Sequence, residues 1–182
     1  MSHRVLVLLA PGFEEIEATC PVDLLRRADA EVLVASTEDN LWVTGRSHIT
    51  LQADCLLSDV INESFDLLIL PGGPAVFALR EKPRILDLIR RLHFDNIPIG
   101  AICAAPLLLL DAGILKNDIA HTAHGSTLEE LPQLDTGKET IVSGNIITSR
   151  GAGTAVSFGL ALVQQLYGPE KAKEIAASIH AA

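Results

Sequence analysis

Short aliphatic runs, each closed by a turn, limit the folds open to this chain. They are Arg4–Ala10 (RVLVLLA) before Pro11–Gly12, Glu31–Ser36 (EVLVAS), Asp66–Leu70 (DLLIL) before Pro71–Gly72–Gly73–Pro74, and Ile97–Ile102 (IPIGAI) before Cys103. A run that is apolar at every position fits a strand covered on both faces, not one with a wet side. Between the runs lie helical stretches. Glu14 to Ala28 has acids in its first turn and Arg26–Arg27 in its last, the polarity a helix dipole favours, with Pro21 expected to bend it. Pro83 suits the first turn of a helix to Phe94, and Pro106 opens LLLLDA, closed by Gly113.

Further along, Ile119–Ala123 reads as a strand and Ser126–Glu129 as an S-x-x-E capping box. Thr140–Val142 and Ile146–Ser149 are strands around Gly144–Asn145, followed by helices over Thr154–Leu166 and from Pro169 to Ala181. Leu41–Thr44 and Ile49–Leu51 flank Gly45 as a hairpin attached to the main sheet. Strands alternating with helices predict a mostly parallel sheet in a three-layer αβα sandwich, flavodoxin-like in plan. The 182 residues suit a single domain over residues 1–182. Ligand sites in such sheets lie beyond the strands' carboxyl ends. The rule singles out Pro11–Glu17, Pro71–Pro74, Cys103–Pro106 and Arg150–Gly153.

Composition narrows the function classes. The net charge of −9 leaves no basic footprint for nucleic acid or anionic membrane. The longest uncharged apolar stretch, residues 97–110, is broken by Pro98 and Pro106 and falls short of the ~20 residues of a spanning helix. We expect a cytoplasmic protein. Cys20, Cys55 and Cys103 form neither a disulfide framework nor a zinc set, and His121 with His124 lacks a third ligand, so neither metal nor cofactor is expected. Gly151–Ala152–Gly153 before a helix is an anion-cradle candidate but not G-x-G-x-x-G.

Cys103 is the chief candidate for chemistry. A strand that runs into a helix without a spacer forces an elbow, and a helix N-terminus would lower the thiol pKa below those of Cys20 and Cys55. The competing reading is a small buried hydrophobe. Glu17, with Glu14 and Glu15, either complements the helix dipole or turns inward to Cys103, where desolvation would keep it protonated. The N–H groups around Gly73 and of Ala104 offer an oxyanion site, against the reading of a simple turn. His124 is a candidate polar partner of the cysteine.

Together LAPGFEEIEA (Leu9–Ala18), LPGG (Leu70–Gly73), AICAAP (Ala101–Pro106) and TSRGAGTA (Thr148–Ala155) resemble the ThiJ/PfpI superfamily. More narrowly they resemble the branch of the parkinsonism-associated protein deglycase and bacterial YajL. The resemblance implies a flavodoxin-like homodimer with a reactive cysteine at Cys103, its partner glutamate at Glu17, backbone donors at Gly73 and Ala104, and a histidine matching His124. A cross-subunit arginine of the family falls at Arg46 or Ser47 and is not carried over. The family's protease-like branch has histidine directly after the cysteine; Ala104 stands there, which disfavours peptidase action. The implied activity is glyoxalase or deglycase chemistry on small dicarbonyls or glycated proteins. The alternative is an oxidative-stress sensor or chaperone in which Cys103 becomes a sulfinate.

Overall fold

The computed structural model describes residues 2–116 and 119–181. Its elements, in order, are β1 (Arg4–Leu9), α1 (Glu15–Arg27), β2 (Glu31–Ser36), β3 (Trp42–Thr44), β4 (Thr50–Gln52), β5 (Cys55–Leu56), α2 (Leu57–Val60), β6 (Leu67–Leu70), α3 (Ala75–Arg80), α4 (Pro83–Phe94), β7 (Ile99–Ile102), α5 (Pro106–Asp111), β8 (Thr140–Ser143), β9 (Ile146–Ser149), α6 (Ala155–Tyr167) and α7 (Pro169–Ser178). The main sheet runs β5-β2-β1-β6-β7-β9-β8. Every pairing in it is parallel except β8 with β9.

The sheet carries a core on each face because side chains alternate along each strand. Leu6, Leu8, Leu68 and Leu70 face Val76, Leu88, Leu92 and Leu108 of α3, α4 and α5. Val5, Val7, Leu67 and Ile69 face Leu25 of α1, Phe158 and Leu162 of α6 and Ile175 of α7. Gly100 gives α6 room, since a Cβ there would lie 2.8 Å from Leu162 Cδ2 and 2.9 Å from Phe158 Cζ. No helix among the described residues is long and apolar enough to cross a membrane.

Several expectations are corrected. The β3–β4 hairpin is a separate two-stranded sheet and adds no strand to the main one. It is tied to the loop after β1 instead, where Gly12 N donates to Thr44 O at 2.8 Å and Arg46 N to Phe13 O at 2.9 Å. Ile119–Ala123 is not a strand. The neighbours of β7 are β6 and β9, so no ladder position beside it is vacant, and the segment is held by side chains: Thr122 N donates to Thr148 Oγ1 at 2.9 Å. The Ser126 capping box does not form. A single 3-10 turn, Gly125–Thr127, is capped by His124, whose Nδ1 accepts from Ser126 N at 3.2 Å. α1 continues through Pro21, and α3 and the β5–α2 step have too few residues to show a period in sequence.

Phe158 is fully buried between α6 and the sheet. Phe158→Ala is expected to cost about 3–5 kcal/mol, read as a lower urea midpoint at unchanged slope.

Candidate active site

The loops after β1, β6, β7 and β9 converge at the carboxyl edge of the sheet. The β7 loop begins with Cys103, which holds φ at +65°, a left-handed conformation costly for a side chain other than glycine. Cys103 N donates to Ser149 O and Cys103 O accepts from His124 N, both at 2.9 Å. These bonds pin the elbow between β9 and the segment after α5.

The three acids that begin α1 have three separate tasks. Glu14 caps the helix: its Oε2 accepts from Glu17 N at 2.8 Å. Glu15 turns to the hairpin and accepts from Ser47 N at 2.7 Å through Oε1. Burial pushes the Glu15 carboxyl up, but backbone N–H groups, Ser47 foremost, outweigh it and hold the pKa below the ordinary value. Glu17 turns inward, 1% exposed, and accepts from Gly72 N at 3.0 Å. A Cβ on Gly72 would lie 2.5 Å from both Glu17 Oε2 and Cys103 Cβ, so carboxyl and cysteine flank one point that only glycine leaves open. Gly73, at φ +90°, is as confined: a Cβ there would meet Gly12 O at 2.6 Å.

Burial raises Glu17 from 4.5 to about 7, with the charge of Glu14 adding to it; Cys103, Gly72 N–H and Ala152 N–H pull the other way. Burial likewise pushes the Cys103 thiol up to about 12, followed by the charge of Glu17, while the N–H groups of Gly73 and Ala104 act to lower it. The expectation of a depressed thiol pKa is therefore corrected. The reason is positional: Ala104 and Ala105 form a turn, and α5, only six residues long, has its N-cap at Ala105. Cys103 thus sits outside the helix end and beside a carboxylate. Cys20 and Cys55 are also raised, by burial first and then by neighbouring acids. What distinguishes Cys103 is the hydrogen bond it shares with the carboxyl of Glu17.

His124 is bound to Cys103 through its backbone, and its ring serves the turn that follows. Because Nδ1 accepts from Ser126 N, the neutral ring carries its proton on Nε2. The ring edge (Cδ2) lies 3.7 Å from the position of a Cβ on Gly151, and Glu17 Oε1 lies 3.6 Å from the same point. The Gly151–Gly153 loop is no anion cradle. Gly151 N donates to Thr154 Oγ1, Thr154 N donates to Gly151 O, and Ala152 N–H serves Glu17. The described residues hold no group of three or more His, Cys, Asp or Glu side chains fit to bind a metal ion.

Glu15, read in sequence only as one of three alike acids, sets the hairpin. Ser149 and Thr154, assigned no role in sequence, stand behind the β9 loop; the hydroxyls flanking the Arg-Gly-Ala-Gly string were the signal for this pair.

Comparison with known proteins places the chain as a whole. The model of the DJ-1/PfpI family matches residues 3–165. Protein DJ-1 homolog B of Arabidopsis thaliana is 38% identical over 94% of this chain, which spans only 40% of that protein's length. The glutathione-independent glyoxalase DJR-1.2 of Caenorhabditis elegans is 37% identical over 93% of this chain and 92% of its own. The crystal structure of Drosophila melanogaster DJ-1beta superposes with a TM-score of 0.94 at 35% identity, covering 100% of both chains.

Folding raises Glu17 from 4.5 to about 7, so the folded chain binds this proton more tightly than the unfolded one. That contribution to stability is complete below about pH 4.5 and is lost as pH rises through about 7. Glu17→Gln does not titrate. Relative to wild type it should gain about 3 kcal/mol between the acid and alkaline sides of this window, measured as urea midpoints.

Proposed function

This chain belongs to the DJ-1/PfpI family, and from that premise we propose that it is a cofactor-independent enzyme converting reactive α-dicarbonyls, free or as early adducts on proteins, to hydroxy acids through Cys103 and Glu17. The observation that carries the reading is the pairing of the half-buried Cys103 thiol with a buried carboxyl raised to about 7. A base of that pKa is half ionised near neutrality and can both accept and return a proton.

In the proposed sequence, the Cys103 thiol gives its proton to the Glu17 carboxylate as sulfur adds to the aldehyde carbon. The former carbonyl oxygen becomes an oxyanion, which the N–H groups of Gly73 and Ala104 stabilise until Glu17 returns the thiol's proton to it, giving the hemithioacetal hydroxyl. The Glu17 carboxylate then takes the proton from the former aldehyde carbon and, through an enediol, delivers it to the neighbouring carbon, while the hemithioacetal hydroxyl proton passes to the ketone oxygen. This isomerisation oxidises one carbon to the acyl level and reduces the other to an alcohol, with no external electron acceptor. Water cleaves the resulting thioester, releasing the hydroxy acid and restoring the thiol. His124 Nε2–H is a donor suited to the second carbonyl of the substrate. A second reading, redox sensing, draws on the same pair: protonated Glu17 can donate to a Cys103 sulfinate, and an ionised one cannot.

We further propose a two-fold homodimer joined at α1 and the β3–β4 hairpin. Ile16 and Ile49 are each 54% exposed and Trp42 60%, and Glu15, next to Ile16 in the chain, accepts from Ile49 N at 3.5 Å, which brings the first two to the same corner. A cavity of about 310 Å³ beside them, between α1, β1, β2 and β4, has walls of Val22, Val34 and Leu51. Such a contact is isologous, so one patch serves both subunits.

Methylglyoxal loss and lactate gain are expected in the wild type, and neither in Cys103→Ser; full turnover by Cys103→Ser would overturn the catalytic reading. Peroxide should give a stable Cys103 sulfinate in wild type and Glu17→Gln but over-oxidised products in Glu17→Ala, as read by mass spectrometry. Sedimentation should give about twice the 19.4 kDa of one chain, falling to one chain in an Ile16→Glu, Ile49→Glu variant.

A further inference from the structure

Glu17 is dry only because something covers it. Its helix provides the cap Glu14, and the β6 loop provides Gly72. The remaining side is closed by the turn after β9, where a Cβ on Gly151 would sit 3.6 Å from Glu17 Oε1. That turn is short, contains two glycines, and has Gly153 exposed at its apex. Apolar packing alone gives it little to hold it down.

A chain of hydroxyls does hold it. Gly151 N donates to Thr154 Oγ1 at 3.2 Å, and Thr154 Oγ1 lies 2.7 Å from Ser149 Oγ. Ser149 Oγ in turn donates to Glu139 O at 2.8 Å, and Thr140 Oγ1 stands 3.0 Å away. A hydroxyl has one proton to give. With Ser149 committed to Glu139 O, the Thr154 proton serves Ser149 Oγ or Gly151 O, the latter 2.9 Å away, and either bond ties the turn to Thr154 in a run of contacts that ends at Glu139, just before β8. Ser149 is fully buried, and its carbonyl accepts from Cys103 N. The same residue therefore joins the turn over Glu17 to the elbow that carries the thiol.

We propose that Thr154 and Ser149 are positioning residues whose hydroxyls latch the Gly151–Thr154 turn shut over Glu17 and so keep water from its carboxyl. The proposal rests on the reading of Glu17 as the proton carrier, but the latch has its own readout. Burial is the largest cause of the raised Glu17 pKa, and the Ala152 N–H of the turn is a smaller, opposing one. Opening the turn removes both. The loss of burial dominates, so the carboxyl falls toward its ordinary value. The other titratable groups around it are Glu14 at the helix cap, Cys103 at the β7 elbow and His124 across Gly151, with Arg150 exposed at the start of the turn; none of them is altered by substitution at Thr154 or Ser149.

The test is the titration midpoint of Glu17, followed by carbon-13 NMR of labelled glutamate carboxyls and assigned by the missing signal in Glu17→Gln. Thr154→Val should lower the midpoint by about one pH unit. Thr154→Ser, which keeps the hydroxyl, should restore it. Ser149→Ala should move it in the same direction and decides the matter if Thr154→Val does not fold. A midpoint that is unchanged or higher in the folded variants overturns the latch. Failure of the catalytic reading looks different: Glu17→Gln would then turn over methylglyoxal as wild type does, whatever the midpoint in Thr154→Val.

Discussion

The arrangement of the carboxyl edge depends on one buried carboxyl. Glu17 lies on α1, yet it takes an N–H from Gly72 after β6, feels Ala152 after β9 and faces Cys103 after β7. Segments that follow four strands of the sheet are thereby brought to one side chain. A carboxyl placed there without donors would be far too costly to ionise; with them it stays close to neutrality in its pKa. The requirement propagates outward. Gly72 must lack a Cβ to let carboxyl and thiol flank the same point, and Cys103 must hold a left-handed φ to turn its sulfur toward them.

The reactive pair is best regarded as a single titrating unit. Beyond burial, the charge of Glu17 raises the Cys103 thiol, while the hydrogen bond with Cys103 lowers the Glu17 carboxyl, so the protonation of each depends on the other. In the proposed chemistry, an electrophile would draw the proton to Glu17 and leave sulfur nucleophilic, while an oxidised sulfur would accept it as a hydrogen bond. Both proposed readings thus draw on the same pair, which is why residue types alone do not separate them.

The two sides of the sheet contribute differently. On one, α1 and α6 pack closely enough that a Cβ on Gly159 would meet Leu24 Cδ1 at 2.6 Å, which fixes the helix that carries Glu17. On the other, Arg80 of α3 joins Asp111 of α5 and Glu130 at 2.6 Å each, bracing the segment that brings His124 to the elbow. Both braces are long-range and depend on residues with no local signature.

The sequence by itself determined the parallel sandwich, because runs apolar at every position can be buried only between two helical layers. It also marked Cys103, Glu17, Gly73 and Ala104 through their place at strand ends and their likeness to a family. Short elements escaped it: α3 and the β5–α2 step are too brief for periodicity, and Ile119–Ala123, though β-like, meets a β7 already flanked by β6 and β9. The division of labour among Glu14, Glu15 and Glu17 was decided only by tertiary structure, since adjacent acids on one helix turn look alike until each finds its neighbour. The same holds for the thiol. A helix end predicted a lowered pKa, but the turn formed by Ala104 and Ala105 moved the sulfur outside the helix end, and burial beside a carboxyl reversed the sign. Local sequence records which groups are present; their energies come from solvent exclusion and distant charges, which exist only once the chain has closed around them.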